Sequence, residues 1–149
     1  MRGIYHKVPE VFPGVRGLLG GLRQATKKRG GELILATHAG KEWTERKLKG
    51  AELDGCFDRV CCFDVNVPKS WQWLGVGVDL GKALVIEDNL KEGVLPVLEA
   101  GGWAVLVRNK NVFPRDEELL QGARKTERLM EVDEIGGVAD VLIKRVTFY

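Results

Sequence analysis

The stretch from residue 83 to residue 102, ALVIEDNLKEGVLPVLEAGG, constrains the fold of this chain more than any other. Four apolar residues are followed by two adjacent acids, Glu87 and Asp88, and then by Asn89. Apolar residues then recur at the three- and four-residue spacing of a helix, until a pair of glycines ends the pattern. The stretch therefore predicts a buried strand, an acidic turn and an amphipathic helix.

Asp88 falls at the carboxyl end of this predicted strand. In folds with a parallel sheet between helices, ligands bind outside the carboxyl ends of the strands. One interpretation of Asp88 is therefore a metal ligand. The other is a helix N-cap, because Asp and Asn both suit that position. The spacing in the sequence leaves both interpretations open.

Apolar runs alternate with amphipathic stretches along the rest of the chain. Strands are predicted at 33–36, 57–65, 83–86, 103–107 and 128–132, and helices at 14–29, 41–49, 70–74, 90–100, 116–125 and 134–145. The run 60–63 predicts a strand covered on both faces, and Ser70 is predicted to cap the short helix that follows it. This alternation is typical of α/β proteins. It predicts a Rossmann-like three-layer sandwich with a mostly parallel sheet, in one domain spanning 1–149 after an irregular segment at 1–12.

Composition excludes several classes of partner. The 149 residues carry a net charge of only +2, and their basic residues form no stripe, so no nucleic-acid partner is expected. No apolar run approaches the length that spans a bilayer, and the N-terminus lacks the apolar core of a signal peptide. The three cysteines are an odd number without a CxxC pair, which favours free thiols in a reducing compartment. We therefore expect a cytoplasmic protein that contacts neither nucleic acid nor membrane.

Four segments in this order resemble the core of haloacid dehalogenase-type (HAD-like) hydrolases. VFPGVRGLLGGLRQATKKRG resembles the helix that precedes the second core strand of that family, and LILATHAG resembles the second motif, a strand ending in Thr or Ser. The lysine of VPKSWQWL stands where the third motif has its Lys, and LVIEDNLKEGVLPVLEAGG resembles the acidic fourth motif. The likeness runs from about Phe12 to Val107, and it implies a HAD-like fold.

The resemblance also implies site residues and a cofactor. Thr37 and Lys69 would contact the phosphate of a small phosphorylated molecule, where they offset the charge of the phosphoryl oxygens. Asp88 would face Mg²⁺, which takes oxygen ligands, and Glu87 and Glu92 are weaker candidates for the same metal. Two further polar neighbours of these positions, His38 and Asn89, are candidate site residues.

The chain also departs from the pattern of the family it resembles. The family opens with a DxD strand that carries the nucleophile, whereas the first aspartate here is Asp54, after the second motif. Glu87 replaces a small residue of the fourth motif, and Gly93 stands where its second acid often falls, so that Glu92 would have to substitute. The resemblance therefore implies a domain whose first core strand is missing.

Three hypotheses about function follow. The first is a catalytically inactive HAD-like domain, a pseudoenzyme that binds an anion such as phosphate or a protein partner. The second is a magnesium-dependent phosphatase, a phosphoric monoester hydrolase, whose missing motif comes from an upstream segment or a partner chain. The third is an unrelated flavodoxin-like binding module in which Asp88 is only a cap.

The absent strand has a structural consequence as well. In the family it lies between the strand that ends at Thr37 and the strand that ends at Glu87. Buried backbone groups need hydrogen-bond partners, so an empty slot there is not tolerated. We expect the strands at 33–36 and 83–86 to pair directly. The alternatives are a strand from residues 1–8 or 141–149, or a strand from a second copy of the chain, which would give a homodimer through strand edges.

Overall fold

The computed structural model describes residues 10–109 and 116–146. The chain divides into two compact units, Met1–Asn66 and Val67–Tyr149. Helices and parallel strands alternate in both units, so the predicted α/β class is confirmed.

Within residues 10–66, the first unit contains two helices and two short strands. Helix α1 spans Val15–Lys28, strand β1 Ile34–Thr37, helix α2 Lys41–Gly50 and strand β2 Arg59–Cys62. The strands pair in parallel, with Ile34 opposite Arg59 and Thr37 opposite Cys62. Helix α1 ends where Gly30 adopts a positive φ of 70°, which a residue without a side chain does at no steric cost.

Asp58 fastens the amino end of this two-stranded sheet. Its carboxylate accepts a hydrogen bond from the backbone N–H of Leu33 at 2.7 Å, and the guanidinium of Arg23 on α1 lies 3.4 Å from its other oxygen. Arg23 also donates to the carbonyl of Gly55. One carboxylate therefore links the helix, the start of β1 and the start of β2.

The second unit is built on a three-stranded parallel sheet. Its elements are α3 (Lys69–Gly75), β3 (Leu84–Glu87), α4 (Leu95–Glu99), β4 (Trp103–Val107), α5 (Glu117–Ala123), β5 (Leu129–Val132) and α6 (Val138–Val146). The strand order is β3-β4-β5, with Glu87 opposite Leu106 and Val107 opposite Val132. Between α3 and β3 lies a 3₁₀ turn, Leu80–Lys82, and between β3 and α4 a π turn, Leu90–Val94.

The hydrophobic core of the second unit lies around strand β4. Its buried members are Leu90, Val94, Leu98, Ala104, Leu106, Leu120, Ala123 and Leu129. Ala104 and Val105 are wholly inaccessible to solvent, as expected for the central strand of a parallel sheet. The core therefore holds β3, the turn after it and α4 in place, and these are the elements that carry the acidic stretch.

Three predictions about local structure were wrong. Strand β2 is shorter than 57–65 and is not covered on both faces, since Val60 remains 40% exposed. Helix α3 begins at Lys69 after Pro68, so Ser70 lies inside the helix and does not cap it. The predicted single helix after β3 begins instead with the π turn.

The predicted direct pairing of the strands at 33–36 and 83–86 was also wrong. In the described residues β1 pairs with β2, and β3 pairs with β4, in separate sheets. The alternative strand from residues 1–8 lies outside the described residues. Residues 141–146 end helix α6, so this part of the C-terminal alternative does not form a strand.

Candidate functional site

The candidate site of the second unit lies at the carboxyl end of β3. Glu87 is the last residue of this strand, and Asp88 and Asn89 form the turn that follows. Lys69 is the first residue of α3 and belongs to the same unit. The sequence singled out all four residues, and the structure brings the side chains of Lys69 and Glu87 into contact.

Lys69 and Glu87 form a well-shielded ion pair. The ammonium Nζ of Lys69 donates to Oε2 of Glu87 at 2.9 Å, and the two side chains are only 13% and 17% accessible. The other oxygen, Oε1, accepts a hydrogen bond from the backbone N–H of Asp88 at 3.2 Å. A shielded pair of this kind holds both groups in one geometry, because separating them would leave a poorly solvated charge.

Asp88 does not cap the helix, so the cap interpretation of this residue is wrong, while its interpretation as a metal ligand stays a prediction. The cap is Asn89, whose side-chain oxygen accepts from the N–H of Glu92 at 3.1 Å. Asp88 is exposed, and its carboxylate takes part in no hydrogen bond or ion pair within 10–109 and 116–146. Its carboxylate is therefore available to a cation or a ligand.

The three acids predicted to hold a metal do not form a preassembled site. Across the described ranges, no group of three or more His, Cys, Asp or Glu side chains is arranged to hold a metal ion. Glu92 is exposed, and Glu87 already neutralises Lys69. Asp88 is exposed, and its carboxylate has no partner within the described ranges. The magnesium role stays a prediction.

The remaining predicted site residues, Thr37 and His38, lie in the first unit. Thr37 ends β1, and its hydroxyl accepts a hydrogen bond from the N–H of Ala39 at 3.0 Å, which shapes the turn after the strand. Nε2 of His38 is buried and has no hydrogen-bond partner among the residues that the structure describes. Lys69 and Asp88 belong to the second unit, and the convergence of Thr37 and His38 with them stays a prediction.

Two features of the site were missed at the level of sequence. The motifs suggest separate roles for the lysine and the glutamate, although the opposite charges of the two residues on neighbouring motifs are compatible with a pair. Gly93 stands where the resemblance expects an acid, whereas the structure places it directly against the side chain of Glu87. No pattern in the sequence predicts this contact between Gly93 and Glu87, because the contact depends on the π turn.

The titratable groups with shifted pKa lie in a different part of the second unit. Arg124 donates two hydrogen bonds to the carboxylate of Glu131 on β5, at 2.8 Å and 2.9 Å. These hydrogen bonds lower the pKa of Glu131 and raise the pKa of Arg124. Glu117 and Arg108 complete a network that ties α5 to the sheet. A structural ion pair explains both shifts, so they do not mark a second site.

Neither sequence comparison identifies a relative of this chain. No protein-family model matches it. No curated protein matches it either.

Several solved structures are similar to this chain in fold, including the following two. One is a haloacid dehalogenase-like family hydrolase from Xanthomonas campestris, with a TM-score of 0.67 and 20% sequence identity, covering 96% of this chain. The other is an uncharacterized protein from Listeria monocytogenes serotype 4b, with a TM-score of 0.63, 15% identity and 93% coverage of this chain. The chain spans 58% of the length of the Xanthomonas protein and 82% of the Listeria protein.

The comparison confirms the predicted fold class and leaves activity open. At these identities a likeness between structures concerns the path of the backbone, and function must be argued from the site itself. Among residues 10–109 and 116–146, no helix combines the length and apolar character needed to cross a membrane. The chain has an α/β fold similar to that of the haloacid dehalogenase-like family hydrolase from Xanthomonas campestris.

Proposed function

We propose that this chain is a HAD-like domain that binds a small phosphorylated molecule together with Mg²⁺, and that the 149 residues alone do not hydrolyse it. Lys69 contacts the phosphate and Asp88 contacts the metal. The observation that carries the proposal is a shielded lysine ammonium bound to Glu87, the last residue of a parallel strand, with the exposed and unengaged carboxylate of Asp88 at the next position in the chain.

The chemistry of this pair suits a phosphate ester. A lysine ammonium has three donors, and its hydrogen bond within the described residues uses one of them, to Glu87. The remaining donors are free to offset the charge of phosphoryl oxygens. Mg²⁺ usually binds through one or two protein carboxylates plus substrate phosphates, which one free carboxylate at Asp88 supports. Thr37, from the first unit, is a second proposed phosphate contact.

The absence of turnover follows from the position of the aspartates. The first aspartate of the sequence is Asp54, which lies between α2 and β2 and not on a strand before β1. A phosphatase that works through an aspartyl phosphate needs a carboxylate nucleophile in line with phosphorus. Within these 149 residues, the domain is therefore proposed to bind phosphate without forming that intermediate.

A second candidate function is a phosphatase completed by an additional strand. Among the residues that the structure describes, strand β3 lies at one edge of its sheet and pairs only with β4, and its first residue, Leu84, is 43% exposed although it is apolar. An unpaired edge of this kind accepts a further strand through backbone hydrogen bonds. A strand carrying the nucleophile, from a longer form of the chain or from another copy or partner, would make the domain active.

The first experiment measures binding of inorganic phosphate in the presence of Mg²⁺ by calorimetry. Lys69→Met alone would leave Glu87 as a shielded, unpaired charge, so the test variant is the double change Lys69→Met with Glu87→Gln. We expect it to weaken binding by about tenfold or more, the scale of a lost charge-assisted hydrogen bond. The control is Lys82→Met, since that lysine is 86% exposed. Equal affinity of the double variant and the unmodified chain would exclude Lys69 as the phosphate contact.

The second experiment measures turnover of a generic aryl phosphate with and without Mg²⁺. We expect none from the 149 residues. Turnover that disappears on Asp88→Asn would contradict the inactive assignment and reveal an unrecognised nucleophile.

For the second candidate function, the DNA upstream of Met1 is translated and any in-frame strand ending in DxD is added to the chain. Activity gained with that strand, and lost when its first Asp becomes Asn, would establish the completed enzyme.

A further inference from the structure

The side chain of Glu87 is held by three neighbours. Its two oxygens engage Nζ of Lys69 and the N–H of Asp88, as described above. The third neighbour is the backbone of Gly93, in the π turn. A β-carbon built on Gly93 would lie 2.1 Å from Cγ of Glu87, 2.7 Å from its Cδ and 2.8 Å from its Oε2. The space that the carboxylate occupies is therefore the space that any other side chain at position 93 would need.

The π turn brings this glycine against the glutamate. The carbonyl of Asn89 accepts from both Gly93 N–H at 3.0 Å and Val94 N–H at 3.2 Å, and the second of these spans five residues as in a π-helix. Single π turns inside helices occur frequently at functional sites. Gly93 does not have a positive φ, so its requirement is one of space and not of backbone conformation.

A side chain at position 93 would displace the carboxylate and not merely crowd it. The closest clash is with Cγ, whose position is set by the first side-chain torsion of Glu87, so a small shift of the carboxylate alone cannot relieve it. The next staggered rotamer moves the carboxylate to a different direction. This change of rotamer takes Oε2 of Glu87 away from Nζ of Lys69.

We infer that Gly93 is a positioning residue for the phosphate contact: its missing side chain fixes Glu87, and Glu87 fixes the ammonium of Lys69. This inference rests on the proposed role of Lys69 in phosphate binding. It gives Glu87 a role other than metal ligand, and it explains why a glycine occupies a position where the sequence suggested a lost acid.

The first test is a double-mutant cycle on stability, which does not depend on phosphate. Gly93→Ala is compared in three backgrounds: unmodified, Glu87→Gln and Glu87→Ala. The clash involves Cγ, Cδ and Oε2 of Glu87. Glu87→Gln keeps a side chain of the same shape, whereas Glu87→Ala removes these atoms. We expect Gly93→Ala to lower the urea midpoint clearly in the first two backgrounds and to leave it unchanged with Glu87→Ala, since coupled residues show non-additive effects. Equal losses in all three backgrounds would overturn the inference.

The second test measures whether the lysine is released. Lysine side chains are labelled under native conditions with an amine-reactive ester, and the rates are read by mass spectrometry relative to the exposed Lys82. We expect Gly93→Ala to raise the relative labelling of Lys69 severalfold, and the matched change Gly122→Ala, where an added β-carbon meets nothing within 4 Å, to leave it unchanged. Unchanged labelling in Gly93→Ala would show that Gly93 does not position the lysine.

The third test connects the glycine to phosphate. If Lys69 binds phosphate, Gly93→Ala should weaken binding of inorganic phosphate with Mg²⁺ by about tenfold, on the scale of one charge-assisted hydrogen bond. Suppose that the double-mutant cycle shows coupling between Gly93 and Glu87, and that Gly93→Ala raises the labelling of Lys69, while the unmodified chain binds no phosphate. That combination of results would contradict the proposed function alone. Unaltered phosphate affinity in Gly93→Ala, in a chain whose binding is weakened by Lys69→Met with Glu87→Gln, would contradict the positioning inference alone.

Discussion

The two sheets of the described residues are built from short parallel strands, yet two strands of the second sheet, β4 and β5, are buried far more deeply than β1 and β2. Strand β3, at the edge of the second sheet, has no buried residue either. None of the eight residues in β1 and β2 is buried, and Val60 is 40% exposed. In β4 all residues but Trp103 are buried, and β5 has only Glu131 partly exposed. An apolar run in the sequence therefore predicts a strand, but its burial depends on how many elements pack against it.

The two units also differ in how many residues they bury. In the described part of the first unit, the buried residues are Leu18, Thr44 and Phe63. The second unit buries a continuous cluster contributed by the π turn, α4, β4, α5 and β5. Because apolar area removed from water is the main favourable term in folding, the second unit should carry most of the stability of the chain.

The largest test of this comparison truncates one leucine in each unit. Leu120 is 1% exposed in the core of the second unit, whereas Leu35 on β1 is only partly buried. We expect Leu120→Ala to cost about 2–5 kcal/mol, the range for buried leucines, and Leu35→Ala about 1–2 kcal/mol because solvent can fill the space. Urea denaturation measures both, and equal costs would show that the first unit is packed as tightly as the second.

Hydrogen exchange sharpens the same test. Amides of β4 should exchange only through opening of the whole second unit, while those of β1 should exchange through a smaller local opening. Leu35→Ala should therefore accelerate exchange in β1 and leave β4 unchanged. Acceleration of both strands together would mean that the two units open as one.

A smaller loss of stability is expected at low pH, and it concerns the second unit. The carboxylate of Glu131 has its pKa lowered by the hydrogen bonds from Arg124. A group with a lowered pKa in the folded state stabilises the protein above its unfolded pKa, and this contribution is lost as pH falls through the folded pKa. The affected window therefore begins near the ordinary Glu pKa of about 4.3 and extends below it.

Glu131→Gln is the variant that measures this contribution. We expect it to cost about 1 kcal/mol at neutral pH, since both groups are partly exposed, and to flatten the fall in stability below about pH 5. Thermal unfolding at a series of pH values gives both quantities. If stability falls with pH in the same way in the variant and in the unmodified chain, Glu131 does not cause the loss of stability in acid.

The sequence predicted most reliably the elements whose structure depends on local pattern. Strand β4 was predicted at 103–107 and spans Trp103–Val107, because a five-residue apolar run bounded by polar residues and glycines is unambiguous. The glycine pair 30–31 was correctly placed at the end of α1. The acidic stretch was correctly placed at the carboxyl end of a parallel strand, so the location of the candidate site in the second unit followed from the sequence.

The sequence could not predict features that depend on contacts between elements. Asp88 and Asn89 have similar cap propensities, and only the π turn decides that Asn89 accepts the bond from Glu92. The pairing of β1 with β2 and of β3 with β4, and not of β1 with β3, is likewise a property of the sheets as a whole. The contact between Gly93 and Glu87 joins a strand to a turn six residues later, and periodicity carries no information about it.

The smallest expected effect concerns a glycine in the middle of α1, in the first unit. Gly20 is exposed, and a β-carbon added there would meet nothing within 4 Å, in contrast to Gly93. Glycine in a helix interior costs roughly 0.5–1 kcal/mol relative to Ala, mostly through the entropy of the unfolded chain. Gly20→Ala should therefore stabilise α1 by about that amount. If the first unit opens separately, hydrogen exchange should slow in α1 and β1 while β4 is unaffected. Slower exchange in β4 as well would mean that the gain is shared by the whole chain, and would support the single domain predicted for residues 1–149 over two units of unequal stability.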